Sequence, residues 1–103
     1  MSPGAERLCH AAVLYLDGCL EGKAVKALLL EARSEPAIAA EVQNRNTDFA
    51  RLAADDFTAM GWPEPESCAR LYVVMSAEAA LVELESGGEN EAVRQALKQF
   101  IGV

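Results

Sequence analysis

Apolar residues recur along this chain at spacings of three and four, which is the period of a helix with one buried face. The spacing predicts five helices, over Ala5–Leu20, Lys23–Arg33, Pro36–Met60, Pro65–Glu85 and Asn90–Ile101. No useful length of sequence alternates with a period of two, so no strand is predicted. Short connections join the helices, and the chain is therefore expected to form one all-α domain over residues 1–103, an antiparallel bundle of about five helices.

Local signals mark the ends of these predicted helices. Gly22 lies just beyond the first helix, and Pro36 disfavours helical geometry at the residue before it. Gly61 suits the left-handed position that follows a helix, and Gly87-Gly88 is the clearest turn in the chain. Asn90 is placed to cap the last helix with its side chain.

The predicted helix over Pro65–Glu85 carries more apolar surface than one core can use. At 100° per residue, one apolar stripe, which we assign to the subunit's own core, consists of Leu71, Val74, Met75 and Val82. A second stripe, on another side, consists of Val73, Ala77, Ala80 and Leu84. The remaining polar arc consists of Tyr72, Ser76 and Glu83. Because a helix that is apolar on two sides is buried on two sides, the second stripe must pack against a second surface.

A second copy of the chain is the simplest cover, since twofold dimers are the commonest oligomers. The sequence therefore predicts a homodimer that closes a four-helix bundle from the last two predicted helices of each subunit. The predicted interface residues are Val73, Ala77, Ala80, Leu84, Val93, Leu97 and Phe100. The alternative is a helix that lies at the centre of its own five-helix domain.

Charged residues interrupt the apolar stripes at three positions, Arg45, Asp56 and Glu78. An unpaired buried charge is costly, so such residues are usually paired, solvated or functional. One interpretation is a pocket for a small, largely apolar or amphipathic ligand, with these charges as polar anchors and Phe49 and Met75 as apolar walls. The other is an internal ion pair, such as Arg45–Glu78, or a stripe whose edge reaches water.

The charge of the chain argues against nucleic acid as a partner. Nine basic and sixteen acidic residues give a net charge of −7, which repels phosphate backbones. No apolar stretch approaches the roughly 18 residues of a transmembrane helix, and no signal peptide is recognisable, so we expect a cytoplasmic protein without a membrane partner.

The sequence contains no recognisable catalytic or metal-binding motif, so we expect no enzyme activity, no metal and no cofactor. Cys9, Cys19 and Cys68 are too few and too dispersed for a disulfide framework, and we interpret them as small buried apolar residues. His10 shares a helix face with Glu6 and Asp17, so we expect it to be solvated.

Three segments resemble the C-terminal part of TetR-type transcriptional regulators. They are Leu28-Leu-Leu-Glu-Ala-Arg-Ser-Glu-Pro36, Met60-Gly-Trp-Pro-Glu-Pro65 and Leu84-Glu-Ser-Gly-Gly88, and together with the helices between them they span nearly the whole chain. The resemblance implies an all-helical effector-binding and dimerisation domain. In that domain the last two helices form the dimer interface, and the second to fourth enclose a small-molecule pocket.

The DNA-reading helix-turn-helix of that family has no counterpart in this sequence. The resemblance therefore leaves two alternatives, a fragment of a regulator or a freestanding relative that does not bind DNA. A helical adaptor that binds a protein through the second stripe is the other class of function that the sequence leaves open.

Overall fold

The computed structural model describes residues 1–22 and 36–102, with the backbone alone at 37–46 and at 48. The described residues form four helices, α1 (Ala5–Glu21), α2 (Pro36–Ala59), α3 (Pro65–Ser86) and α4 (Glu91–Ile101), and no strand. The predicted all-α class is confirmed, and the four predicted helices that fall in the described ranges begin and end within one residue of these bounds. The prediction of a helix over Lys23–Arg33 lies outside the described residues.

The helix ends follow the local signals in the sequence. The Asn90 side chain accepts a hydrogen bond from the Val93 N–H at 3.0 Å, which caps α4 as predicted. Gly61 and Gly87 have φ angles of 75° and 85°, a left-handed conformation that glycine adopts without steric cost. Pro65 opens α3 at a position where a missing N–H costs nothing.

Helix α3 lies at the centre of the described fold and packs against α1, α2 and α4. Its fully buried Tyr72 joins three of these helices. The Tyr72 ring lies 5.7 Å from the Phe49 ring and 6.0 Å from the Phe57 ring, measured between centroids. Its hydroxyl donates to the Leu8 carbonyl of α1 at 2.7 Å, so the one polar atom of this side chain is satisfied in the core.

The predicted assignment of the faces of α3 was wrong. Leu71 and Val74, which were assigned to the subunit's core, are 66% and 60% exposed. The core-facing residues of α3 are instead Ala69, Tyr72, Val73, Ser76, Ala79, Ala80 and Glu83. Three of them are the residues that we interpreted as the polar arc, and they are buried because each polar group has a partner. Ser76, for instance, donates its hydroxyl to the Tyr72 carbonyl at 2.9 Å.

Candidate functional site

A groove with a volume of about 560 Å³ runs between α2 and α3. Its apolar lining residues are Ala50, Ala54, Val73 and Val74, and its polar lining residues are Thr47, Arg51, Asp55, Glu66 and Arg70. Positions three and four apart lie on the same side of a helix, so these residues of α2 and of α3 face each other across the groove. Alanine at two of the α2 positions leaves the space that a larger side chain would fill.

Three charged residues of the groove are available to a ligand. Asp55, Glu66 and Arg70 are exposed, and none of them has an ion-pair partner among the described residues. A guanidinium such as that of Arg70 can bind a carboxylate or phosphate through two parallel hydrogen bonds. The carboxylates of Asp55 and Glu66 can accept hydrogen bonds from an amine. The groove therefore offers an apolar surface with charged groups of both signs.

Four of the five predicted ligand-binding residues have described side chains, and none of the four is among the lining residues of this groove. Phe49 is partly buried, and its ring stacks on Tyr15 at a centroid distance of 5.8 Å. Met75 is partly buried and packs against the core, whereas Glu78 is exposed on α3. Arg45 belongs to α2, but its side chain lies outside the described residues, so the alternative ion pair Arg45–Glu78 does too.

Asp56 is held by the N-terminal end of α1. Only 4% of Asp56 is exposed, and its Oδ1 accepts hydrogen bonds from the Arg7 Nε–H at 2.6 Å and from the Gly4 N–H at 3.0 Å. Of the roles that the sequence left open for Asp56, the internal ion pair is the one present in the structure. The partner was not foreseen, because Arg7 lies 49 residues away in the sequence.

The seven predicted dimer-interface residues differ in how far they are exposed. Val73, Ala80 and Leu97 are buried in the subunit's own core, and at most 5% of each is exposed to a second copy. Ala77, Leu84 and Val93 are partly buried, and only Phe100, at 69%, is largely exposed.

Arg94 and Glu83 form a buried ion pair that the sequence analysis missed. Glu83 has no exposed area, and its two carboxylate oxygens accept from the Arg94 Nε and Nη2 at 2.6 and 3.0 Å. Glu83 Oε2 also accepts from the Asn90 N–H at 2.9 Å. The Arg94 Nη1 lies 2.9 Å from the Asp17 Oδ1 and 3.1 Å from the Glu89 Oε1. The group thus ties α1, α3 and α4 together. The one available signal was an acid and a base placed on either side of the Gly87-Gly88 turn.

The ion pair makes stability depend on pH. Burial alone raises the pKa of Glu83, but the hydrogen bonds from Arg94 and from the Asn90 N–H, with the Arg94 charge, outweigh it and hold that pKa below its ordinary value. A carboxylate with a lowered pKa stabilises the fold above its unfolded pKa, about 4.3 for glutamate, and this contribution is lost as pH falls through the lower folded value.

We therefore expect the urea midpoint to decrease as pH falls below about 4, and to decrease less in a Glu83→Leu/Arg94→Met variant, which has no pair to protonate. Urea unfolding followed by circular dichroism between pH 7 and pH 2.5 measures both. An equal decrease in the two proteins would show that other carboxylates dominate the acid response.

The remaining reactive side chains do not form a site. Within residues 1–22 and 36–102, no group of three or more His, Cys, Asp or Glu residues could hold a metal ion. Cys19 is buried as predicted, and burial raises the pKa of its thiol. Cys9 and Cys68 are only partly buried. His10 is exposed, which agrees with the prediction that it is solvated. None of the described helices combines the length and the apolar character needed to cross a membrane.

The groove between α2 and α3 is thus the candidate ligand site, and the exposed leucine and valine of α3 are the candidate protein-contact surface.

When the chain is compared with models of known protein families, with curated proteins and with solved structures, no match is found.

Proposed function

We propose that this chain is a helical ligand-binding domain that holds a small amphipathic molecule in the groove between α2 and α3. The observation that carries the proposal is the volume of that groove, about 560 Å³, which lies within the range of about 300–1,000 Å³ typical of small-molecule sites. The resemblance to the effector-binding domain of TetR-type regulators supports the same kind of function. The proposed site residues are those of the groove, in place of the five predicted from the sequence.

The lining of the groove restricts the chemistry of the ligand. Ala50, Ala54 and the two valines favour an apolar body, because burying it removes apolar surface from water. The charged lining residues that have no ion-pair partner within the described chain favour a ligand with a polar end. Arg70 would bind an acidic end, and Asp55 with Glu66 would bind a basic end. Because the chain as a whole carries a charge of −7, we do not propose nucleic acid as a partner.

Thermal shift with a panel of apolar carboxylic acids, apolar amines and neutral analogues of both tests this proposal. We expect at least one charged class to raise the melting temperature, and Ala54→Phe, which fills the groove, to weaken the binding of that class at least about tenfold, equivalent to about 1.4 kcal/mol. Ala59→Phe is the matched control, since Ala59 lies at the exposed end of the same helix and does not line the groove. It should leave the affinity unchanged.

Two further variants identify the charged end of the ligand. Arg70→Gln should abolish the binding of acids alone, and Glu66→Gln should weaken the binding of amines alone. If no compound binds at millimolar concentration, or if Ala54→Phe binds as well as the wild type, the groove is not the site.

A second candidate function is protein interaction, either as a homodimer or as a helical adaptor. The observation that favours it is the exposure of Leu71 and Val74 on neighbouring turns of α3. Interaction surfaces are marked by contiguous exposed apolar patches, and these two side chains would form the centre of such a patch. The homodimer that the sequence predicts remains part of this proposal, but its interface must use residues that are at the surface.

A further inference from the structure

The solvent-facing side of α3 forms a continuous surface that we call the outer face. It consists of Ser67, Arg70, Leu71, Val74, Ala77, Glu78 and Leu81, which follow one another at spacings of one and three along the helix. All of these residues are exposed except Ala77 and Leu81, which are partly buried. Since the opposite side of α3 is the core of the domain, this helix is apolar on both sides.

The charges of the outer face are arranged symmetrically about Val74. Arg70 lies four residues before Val74 and Glu78 lies four residues after it, so each is about 6 Å along the helix axis from Val74. Both side chains are exposed, and within the described part of the chain neither forms an ion pair. A positive and a negative charge therefore stand at equal distances on either side of an exposed valine.

We propose that two copies of this chain pair through the outer face, with their α3 helices antiparallel and Val74 on the twofold axis. A twofold axis at Val74 places each residue before it opposite the residue equally far after it in the other copy. Arg70 then faces the partner's Glu78, and this ion pair occurs twice. Leu71 faces the partner's Ala77, where the small side chain permits close approach, and Ser67 faces the partner's Leu81.

Charge determines both the direction of pairing and the choice of partner. In a parallel pair, Arg70 would face the partner's Arg70 and Glu78 the partner's Glu78, which places like charges together. In the antiparallel pair, every charge of the outer face meets its opposite. Because the surface is complementary to itself, a second copy of the chain can cover it without a second protein. The pairing uses Arg70 and Val74, which also line the groove, but it does not rest on the proposed ligand site, because pairing is measured without ligand.

Charge exchange between the two positions tests the proposal. The wild type should be a dimer by sedimentation equilibrium at tens of micromolar. Arg70→Glu and Glu78→Arg should each raise the dimer dissociation constant at least about tenfold, because each places like charges in both ion pairs. The double variant Arg70→Glu/Glu78→Arg restores opposite charges and should return to within about threefold of the wild type. Its net charge equals that of the wild type, so it also controls for total charge.

Two controls separate this interface from other causes of association. Glu91→Arg makes the same substitution at an exposed position on α4, away from the outer face, and should leave the dimer intact. In a background of Cys9→Ser and Cys68→Ser, Val74→Cys should form an intermolecular disulfide on mild oxidation, since the two residues meet on the axis. Gln95→Cys on α4 should not. The proposal is overturned if the wild type is a monomer at about 100 µM, or if the two single charge changes weaken the dimer and the double variant does not recover it.

Discussion

Replacing Arg94 with methionine is expected to lower the free energy of unfolding by about 3–5 kcal/mol, because it leaves the Glu83 carboxylate buried without its counter-charge. Glu83 has no exposed area and receives two hydrogen bonds from Arg94, so water cannot replace the lost partner without opening the helix packing. A loss of this size is a large fraction of the roughly 5–15 kcal/mol that stabilises a domain. Urea unfolding at pH 7, followed by circular dichroism, measures it.

Two variants separate the stranded charge from simple loss of contacts. Glu89→Gln removes an acidic partner of Arg94 that is 63% exposed, and it should change the free energy of unfolding by less than about 0.5 kcal/mol. Glu83→Leu with Arg94→Met removes both charges and should recover much of the stability lost in Arg94→Met alone. An Arg94→Met protein as stable as the wild type would mean that Glu83 is solvated or protonated at no cost.

Replacing Tyr72 with alanine should lower the free energy of unfolding by about 3–5 kcal/mol, the range for removing a large aromatic side chain from a core. Tyr72 is fully buried, and the rings of Phe49 and Phe57 pack against it from α2. Tyr72→Phe keeps the ring and removes only the hydroxyl that donates to the Leu8 carbonyl, so its effect should be about 1 kcal/mol. Urea unfolding measures both.

Leu52→Ala is the control for this series, since Leu52 is 69% exposed on α2. It should alter stability by no more than about 0.5 kcal/mol. If Tyr72→Ala proved as mild as Leu52→Ala, the centre of the core would not lie at Tyr72, and the described packing of α3 against α1 and α2 would be incorrect.

The helix bounds could be predicted because local chemistry determines them. Asn90 caps α4 with its own side chain, and Gly61 and Gly87 take the left-handed conformation that ends a helix. These signals act over four or five residues, so they can be recognised without knowledge of the rest of the fold.

The orientation of α3 could not be predicted in the same way, because this helix carries apolar residues on all of its sides. The periodicity of α3 was compatible with two different core-facing sides. We chose between them by placing the polar residues away from the core, and that choice was wrong. Tyr72 and Glu83 were assigned to the polar arc of the helix, yet the structure buries both. Their burial depends on the Leu8 carbonyl and on Arg94, 64 and 11 residues away, and a single sequence does not reveal such pairings.

The candidate groove could not be predicted either, because it also depends on how two helices pack against each other. The predicted pocket was based on charged residues that interrupt apolar stripes. This criterion identified Asp56 but not its partner Arg7. The groove instead arises where alanines leave space between two helices. Ala50 and Ala54 carry no local signal that distinguishes a packed alanine from one that lines a cavity.

The central position of α3 affects how this protein is made on the ribosome. Residues of α1 and α2 pack on a helix that is synthesised after both of them, and Leu8 contacts Tyr72 across 64 residues of sequence. A nascent chain in which α3 has not yet emerged from the ribosome therefore exposes the apolar faces of α1 and α2 that α3 later covers. Exposed apolar faces of this kind are the surfaces that chaperones bind, so the order of the helices along the chain creates a need for protection until α3 packs.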